Sequence, residues 1–383
     1  MDDKLMLMIP GPTPVPEQVL LAMAKHTIGH RTAAFSAIAK DVTENLKWLH
    51  QTQNDVLVVA ASGTGAMEAG MINFLSAGDR VIAGSNGKFG DRWVKVAKAF
   101  GLEVDEIRVD WGKPLDPADF KAKLEADSAK EIKAVIVTHS ETSAGVTNDL
   151  QTIAGYVKAH GALMIVDAVT SMGAASVPVD DWGLDVVCSG SQKGYMMPPG
   201  LGLISVSDKA WTAYESATLP KFYFDLKAYS KNAAKDLTPF TPPVNLYFAL
   251  QASLNMMRKE GLESIFARHT RLRDATRAAM RAMDMPLLAA DEVASTAATA
   301  VMGTDKVDAA QLIKQCQSRF DMSLAGGQDH LKGKIFRIGH LGFMDDRDVL
   351  TATAAIESVV RSMGQDTFAP GAGVAAAAQV LMG

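Results

Sequence analysis

Short apolar runs alternate with helical stretches through the first half of the chain, and this alternation is the strongest constraint on its fold. Strand-like runs are predicted at 56–60, 80–83, 134–138, 163–167, 186–189 and 201–206. Stretches with helical spacing separate several of them, at 66–75, 91–100 and 150–160. Strands that alternate with helices are typical of a mainly parallel sheet. The sequence therefore predicts an α/β domain whose ligands bind beyond the carboxyl ends of the strands.

The pattern changes near residue 244 and predicts a second, smaller domain. Helical spacing dominates for the next forty or so residues, and strand candidates follow at 297–302 and 334–338. A chain of 383 residues is also too long for one ordinary core. We therefore expect an N-terminal arm over 1–20, a large domain over 21–258 and a small α+β domain over 259–383.

Composition and charge limit the possible classes of function. No apolar run reaches the eighteen or so residues of a membrane span, so a soluble protein is expected. The net charge of −5 and the lack of a basic stripe argue against a nucleic-acid partner. Cys188 and Cys316 are too few for a four-thiolate metal site, and no metal is expected. The acidic start at 1–4 lacks the layout of a secretory signal and favours a cytoplasmic location.

A lysine and an aspartate at the ends of adjacent apolar runs fit the needs of pyridoxal phosphate chemistry. Lys193 lies in the run Ser-Gly-Ser-Gln-Lys-Gly, and Asp167 ends the strand predicted at 163–167. That cofactor needs a lysine that can lose its proton to form an imine, and a carboxylate that keeps the pyridine nitrogen protonated. Either residue alone is weak evidence, because any soluble protein has exposed lysines and strand-end aspartates.

Two loops that follow predicted strands carry groups suited to a phosphorylated aromatic ligand. Ser62, Gly63 and Thr64 open a predicted helix, where backbone N–H groups and the helix dipole favour phosphate. A plain N-cap with a glycine turn is the alternative. Phe89 follows the next strand and could lie flat on a cofactor ring, although a loop phenylalanine more often packs onto its own domain.

Two further polar features could contact a substrate. The run 138–145 places several polar side chains after a buried strand. They could act as hydrogen-bond donors around the cofactor ring and the substrate, or they could form a turn with capping hydroxyls. Arg337 interrupts an apolar strand of the second domain. Facing a cleft, its guanidinium would bind a substrate carboxylate in a bidentate pair. The alternative is an edge-strand arginine that points to solvent.

Taken in order, these motifs resemble the class V pyridoxal phosphate aminotransferases, in the branch of the alanine–glyoxylate and serine–glyoxylate enzymes. The resemblance spans nearly the whole chain. It rests on residues 9–16, 29–31, 62–64, 166–167, 189–193, 241–243 and 336–339. It implies a fold-type I architecture with a mainly parallel seven-stranded sheet. It also implies a homodimer with shared active sites, which transfers an amino group from alanine or serine to glyoxylate or a similar small 2-oxo acid by a ping-pong mechanism.

The resemblance further implies a role for each candidate residue. Lys193 would bond the cofactor and Asp167 would pair with its pyridine nitrogen. The cofactor's phosphate would contact Ser62, Gly63, Thr64 and Gln192, and its ring would contact Phe89 and Thr142. Thr241 would contact the phosphate bound by the neighbouring subunit, and Gly11 and Arg337 would contact the substrate. Phe89 stands where the animal alanine–glyoxylate enzymes have tryptophan, so its smaller face is expected to hold the ring less tightly.

Three alternatives compete with amino transfer to glyoxylate. A class V cysteine desulfurase needs a mobile reactive cysteine, but Cys188 is predicted in a buried strand and Cys316 in a helix at 309–318, where thiols are usually inert. An aminotransferase for 2-aminoethylphosphonate should require extra cations. Some cyanobacterial proteins of this branch are labelled small subunits of a soluble hydrogenase, so a non-catalytic partner subunit is the third alternative.

Overall fold

The structure, a computed structural model, describes residues 5–383. Its strands β1 to β13 are, in chain order, Met6–Met8, Asp55–Ala61, Arg80–Ser85, Glu103–Arg108, Ile132–Thr138, Ser140–Glu141, Val146–Thr147, Leu163–Asp167, Val186–Gly190, Gly200–Val206, Ala298–Met302, Met322–Gly326 and Ile335–Gly339. Its helices α1 to α14 are Glu17–Met23, Ala33–His50, Gly63–Ile72, Lys88–Ala99, Pro117–Ala126, Leu150–His160, Val179–Trp182, Asp208–Tyr214, Leu226–Ala233, Val244–Glu260, Leu262–Ala282, Ala309–Phe320, Asp346–Ser362 and Ala372–Met382. Short 3₁₀ turns cover Asp291–Val293 and Asp329–Leu331.

A seven-stranded sheet forms the centre of the large domain, with strand order β2-β10-β9-β8-β5-β3-β4. Strand β10 is antiparallel to both of its neighbours, and the remaining six strands run in one direction. The carboxyl ends of these six strands therefore share one edge of the sheet. The mainly parallel seven-stranded architecture predicted for the large domain is confirmed.

The strand that sequence patterning missed in this sheet is β4, at its edge. Its residues Glu103–Arg108 include four charged side chains and lack the continuous apolar run of the central strands. Charged side chains are common on edge strands because they discourage pairing with another chain. The apolar pattern alone therefore did not identify it.

Both faces of the large sheet are buried. On the central strand β5, Val135 and Val137 pack into one hydrophobic cluster, and Ala134 and Ile136 pack into another on the opposite face. A strand covered on both sides needs apolar residues at every position, which explains the unbroken apolar run. Helices therefore cover both faces, and the carboxyl edge is left for ligands.

A second sheet, with order β1-β12-β13-β11, forms the small domain's core. Strands β11 and β13 match the two strands predicted there, and β12 was not predicted. Strand β1 belongs to the segment predicted as an N-terminal arm, yet it pairs with β12 with Met6 opposite Met322. Strand β1 is thus fixed to the small domain's sheet. The domain boundaries at 20 and 258 stay predictions.

No helix within residues 5–383 is both long and apolar enough to cross a bilayer. Residues 1–4, on which the expectation of a cytoplasmic location rests, lie outside the described residues. That location therefore stays a prediction.

Candidate active site

A cavity of about 150 Å³ opens at the carboxyl edge of the large sheet. Strands β2, β3, β5, β8 and β9 each contribute lining residues, from their own last residue or from the segment that follows them. Its lining residues are Ser62, Gly63, Thr64, Met67, Phe89, Arg92, Ser140, Asp167, Val169, Thr170, Gln192 and Lys193. Seven of the eleven residues predicted from the sequence are in this set, so residues far apart in the chain meet in one place.

The N-terminus of α3 forms one wall of the cavity. Ser62 is the N-cap, and its hydroxyl accepts a hydrogen bond from the backbone N–H of Gly65 at 3.3 Å. The first turn of a helix has unpaired N–H groups and the positive end of the dipole, a combination that binds anions. Glycine at position 63 allows the first turn of α3 to lie close to Val169, since an added Cβ would lie 2.9 Å from Val169 Cγ2. This wall is suited to a phosphate group.

Asp167 ends strand β8, lines the cavity and is 3% exposed. Burial raises the pKa of this carboxyl from 3.8 to about 7, although a 2.8 Å hydrogen bond from the backbone N–H of Val169 lowers it. The cations Arg92 and Lys193 also lower this pKa. A buried carboxylate of this kind gains stability from a cationic partner, such as a protonated pyridine nitrogen.

Lys193 lines the same cavity from the loop between β9 and β10. Burial lowers the pKa of its amine from 10.5 to about 8, and the positive charges of Arg337 and Arg92 lower it further, while Asp167 opposes them. Its Nζ donates a 2.8 Å hydrogen bond to the carbonyl oxygen of Pro10. An amine with a pKa near 8 has a substantial neutral fraction at physiological pH, which nucleophilic chemistry requires.

Gly11 packs directly against this amine. A Cβ at position 11 would lie 2.4 Å from Lys193 Nζ, and the φ of Gly11 is +125°, a value that L-residues rarely adopt. The neighbouring residue Thr13 is fixed to the lysine loop by a backbone bond to Gln192 and a hydroxyl bond to the Lys193 carbonyl, both 3.1 Å. The N-terminal segment therefore forms part of the lysine's surroundings.

We expect Gly11→Ala to reduce turnover by at least about 100-fold, because displacing a reacting group by 1 Å can cost that much. Gly78→Ala is a matched control, since Gly78 has a φ of +86° but no atom within 4 Å of an added Cβ. Steady-state rates and melting temperatures of both variants separate the clash from backbone strain. Equal loss of activity in the two variants would contradict a specific role for position 11.

Arg337 lies on β13, between β12 and β11, so the solvent-pointing edge-strand alternative is wrong. It is 7% exposed, and its guanidinium donates to the carbonyl oxygens of Gly326 at 2.8 and 3.0 Å and of Thr142 at 3.1 Å. These partners are neutral, and burial lowers the pKa of Arg337 while Glu141 raises it. A buried guanidinium bonded to neutral carbonyls can still bind an incoming carboxylate. Thr142 is itself buried and is joined to Arg337 through its backbone.

Thr241 is separated from this cavity in the single chain. It is exposed and lines a small separate cavity with Tyr223, Phe240 and two prolines. Its predicted contact involves the phosphate of a neighbouring subunit, and that contact stays a prediction.

Glu141 is a buried residue of the site that the sequence reading did not single out. Its Oε2 accepts hydrogen bonds from the backbone N–H groups of Phe89 at 2.9 Å and Gly90 at 3.0 Å. Its Oε1 accepts from the N–H and hydroxyl of Ser143 at 3.1 and 2.5 Å. Burial raises the pKa of Glu141, and these bonds oppose the rise. Glu141 thus fixes Phe89 in the first turn of α4; its place in the polar run 138–145 was the available signal.

The arrangement has the features that pyridoxal phosphate needs. The α3 N-terminus offers anion-binding donors, Phe89 offers a ring face, and Asp167 and Lys193 line the same cavity. The buried Oε1 atom of Gln192 has no hydrogen-bond partner within residues 5–383, as expected where a ligand completes the site. The residues present fit this cofactor.

The fold and site define a pyridoxal phosphate-dependent enzyme. The family model described as "Aminotransferase class-V" matches residues 6–331, and the chain belongs to this family. The predicted cofactor and the predicted family are confirmed.

Curated relatives cover almost the whole chain. A Synechococcus protein named "Soluble hydrogenase, small subunit" is 65% identical over 100% of this chain and 99% of its own length. An L-aspartate–glyoxylate aminotransferase of Paracoccus denitrificans is 38% identical over 97% and 94% of the two chains. A serine–glyoxylate aminotransferase of Methylorubrum extorquens is 37% identical over 98% and 95%.

Solved structures agree with these relatives. A ureidoglycine–glyoxylate aminotransferase from Bacillus subtilis superposes with a TM-score of 0.94 at 27% identity, over 99% of this chain and 98% of the other. An alanine–glyoxylate aminotransferase from Nostoc superposes with a TM-score of 0.90 at 29% identity, over 94% and 96%. The amino donor differs among the named enzymes, while glyoxylate recurs in their names.

Proposed function

We propose that this aminotransferase moves an amino group from alanine or serine to glyoxylate or a similar small 2-oxo acid. The observation that carries the proposal is the meeting of Lys193 and Asp167 in one cavity beside the N-terminus of α3. The recurrence of glyoxylate in the names of relatives supports the acceptor. Aspartate is the donor named for one relative, so it is included among the donors to test.

Each residue of the site has a task in this proposal. Bound pyridoxal phosphate supplies an aldehyde that takes up the amino group and a ring that withdraws electrons from the substrate's α-carbon. Lys193 would bond the cofactor at rest, and its neutral amine would move the α-proton of the substrate. Asp167 would hold the proton on the pyridine nitrogen. Because one amino acid leaves as a keto acid before the acceptor enters, the kinetics are ping-pong.

The remaining predicted contacts hold the ligands in place. Ser62, Gly63, Thr64 and Gln192 would hold the phosphate, Phe89 would offer its ring face to the cofactor, and Thr142 would contribute nearby. Arg337 binds the substrate carboxylate, and Gly11 belongs to the N-terminal loop that closes on it. These side chains orient the substrate and exclude water from the reacting carbon.

A homodimer with shared sites belongs to the proposal. Thr241 is exposed beside an aromatic surface that includes Phe222, which is 82% exposed, and Tyr223, which is 41% exposed. Exposed apolar groups of this size are typical of an interface. In the dimer Thr241 would reach the phosphate held by the partner. Sedimentation of the purified protein tests the assembly.

We expect Arg337→Ala to raise the KM for amino donors by at least about 30-fold, since losing one partner of a buried charge pair costs about 2–5 kcal/mol. Arg337→Lys should recover only part of the affinity, because an ammonium cannot form the bidentate pair. Arg319→Ala, at an exposed arginine of α12 that bonds to serines, is the control. An unchanged KM in a folded Arg337→Ala protein would contradict the assignment.

The proposed function is tested by following the cofactor's visible absorbance during single additions of alanine, serine, aspartate and 2-aminoethylphosphonate, and then of glyoxylate. Bleaching by alanine or serine and recovery with glyoxylate is the expected result. A band that responds only to another donor would refute the proposed substrates but leave the enzyme class intact.

A non-catalytic partner subunit is the second candidate, since a 65% identical relative carries a hydrogenase name. Cys188 and Cys316 lie buried in separate hydrophobic clusters. Burial raises the pKa of Cys188 well above 9.0 and that of Cys316 to about 12, so both thiols are poor metal ligands and poor nucleophiles. This burial also argues against the desulfurase alternative. A purified protein that takes up no pyridoxal phosphate would support the partner-subunit candidate instead.

A further inference from the structure

We infer that Arg92 is a positioning residue of the cofactor site. Its side chain joins the N-terminus of α3 to the ring of Phe89, and it places a fixed positive charge near Lys193. This inference rests on the proposed function, because it assigns the site to the same cofactor. Arg92 lines the cavity, yet its position in the sequence, inside a predicted helix, gave no signal of a role.

The first support is geometric. The Nη1 atom of Arg92 donates a 2.8 Å hydrogen bond to the hydroxyl of Thr64, in the first turn of α3. The guanidinium carbon of Arg92 also lies 4.8 Å from the centroid of the Phe89 ring, in the first turn of α4. One side chain therefore connects the two helix N-termini that bear the phosphate-binding and stacking positions.

This connection bears on the use of phenylalanine at the stacking position. A phenylalanine ring has no N–H with which to hold its own orientation, so its orientation depends on the side chains around it. The backbone of Phe89 is fixed by Glu141, and its ring is covered by the Arg92 guanidinium through a cation–π contact. Glu141 thus restrains the backbone of Phe89, and Arg92 restrains its ring.

The second support is electrostatic. No carboxylate within residues 5–383 forms an ion pair with Arg92, whose hydrogen-bond partner is the neutral hydroxyl of Thr64. Burial is the largest influence on both Asp167 and Lys193, and the charge of Arg92 lowers the pKa of each. Arg337 acts on Lys193 in the same direction, and Glu141 raises the pKa of Asp167. Arg92 thus favours an ionised Asp167 and a neutral lysine amine, which are the protonation states that the proposed reaction needs.

The test compares three variants of the full-length protein. Arg92→Gln removes the charge but keeps a hydrogen-bond donor for Thr64. Arg92→Lys keeps the charge but loses the planar guanidinium over Phe89. Arg108→Gln is the control. Arg108 is the exposed last residue of β4, outside the cavity, and it pairs with Asp91 of α4, the helix that carries Arg92.

Two quantities are measured without any amino acid substrate. One is the dissociation constant for pyridoxal phosphate, from the absorbance of the bound cofactor. The other is the pH dependence of Lys193 acylation in the cofactor-free protein, read by mass spectrometry of the labelled peptide between pH 7 and 10. At pH values well above 7 Asp167 is largely ionised, so the midpoint there reports the direct effect of the Arg92 charge.

We expect Arg92→Gln to weaken cofactor binding about tenfold and to move the midpoint of Lys193 labelling, which lies well above pH 7, to higher pH by about half a pH unit. Arg92→Lys should weaken cofactor binding but leave the labelling midpoint in place, and Arg108→Gln should change neither. If Arg92→Gln is folded and leaves both quantities unchanged, the inference fails. If it does not fold, Arg92→Lys decides, since unchanged cofactor binding in that variant overturns the inference.

The outcome is separable from that of the proposed function. A wild-type protein that binds pyridoxal phosphate but accepts neither alanine nor serine leaves the Arg92 measurements intact. A wild-type protein that binds no cofactor refutes the proposed function, and the labelling midpoint still decides whether Arg92 acts on Lys193.

Discussion

Lys193→Ala is expected to abolish amino transfer, with a loss of turnover of at least about 10⁴-fold. The substitution removes both the group that bonds the cofactor and the amine that moves the α-proton, and proton transfer by a positioned base alone contributes about 10²–10⁴-fold. Lys193 lines the same cavity as Asp167, and burial lowers the pKa of its amine to about 8. Steady-state assays with alanine or serine and glyoxylate measure the loss.

Two controls make this result specific. Lys113→Ala removes an exposed lysine that pairs with Asp110 away from the cavity, and it should leave turnover unchanged. Borohydride reduction of the wild-type protein should attach the cofactor's mass to the peptide that contains Lys193, and to no peptide of the Lys193→Ala variant. Near-normal turnover in that variant would refute the assignment of the lysine.

Asp167→Asn is expected to lower turnover by about 10² to 10³-fold. A neutral amide cannot hold a proton on the pyridine nitrogen, and breaking a buried ion pair costs about 3–5 kcal/mol. Asparagine has the same shape and retains an oxygen that can accept the bond from the backbone N–H of Val169. Turnover and the cofactor's absorbance spectrum together measure the effect.

The stability of the cofactor-free protein separates this effect from misfolding. The pKa of Asp167 is raised from 3.8 to about 7 in the folded protein, so ionisation is easier in the unfolded chain. The carboxyl therefore destabilises the fold progressively as pH rises from about 4 to 7, and its full cost persists above pH 7. At pH 8 the Asp167→Asn apoprotein should melt at the same temperature as wild type or higher. A lower melting temperature together with lost turnover would point to a structural defect.

Local sequence patterns were sufficient for the central strands of the large sheet, and they pointed to its carboxyl edge as the place for ligands. Central strands such as β5 and β8 are apolar throughout because both faces are covered, and polar residues directly follow them. Such runs are visible in a single sequence. The charged edge strand β4 and the short strand β1 carry no such pattern, and both were missed.

Contacts between distant segments required the tertiary structure. Arg337 could have pointed to solvent or into the protein, and its buried position follows from β12 and β11 on either side of its strand. Phe89 is oriented by Glu141, which lies 52 residues away in the chain. Partners at such separations leave no periodic signal, because any spacing along the chain can bring them together.

The sequence by itself determined the family, the cofactor and the α/β architecture, because these depend on ordered motifs and on the period of apolar residues. The tertiary structure alone decided that Gly11 packs on Lys193, that β1 joins the small domain's sheet and that Arg92 connects Thr64 with Phe89. Those features depend on distances and on burial, which arise only when the chain has folded and segments without local pattern meet.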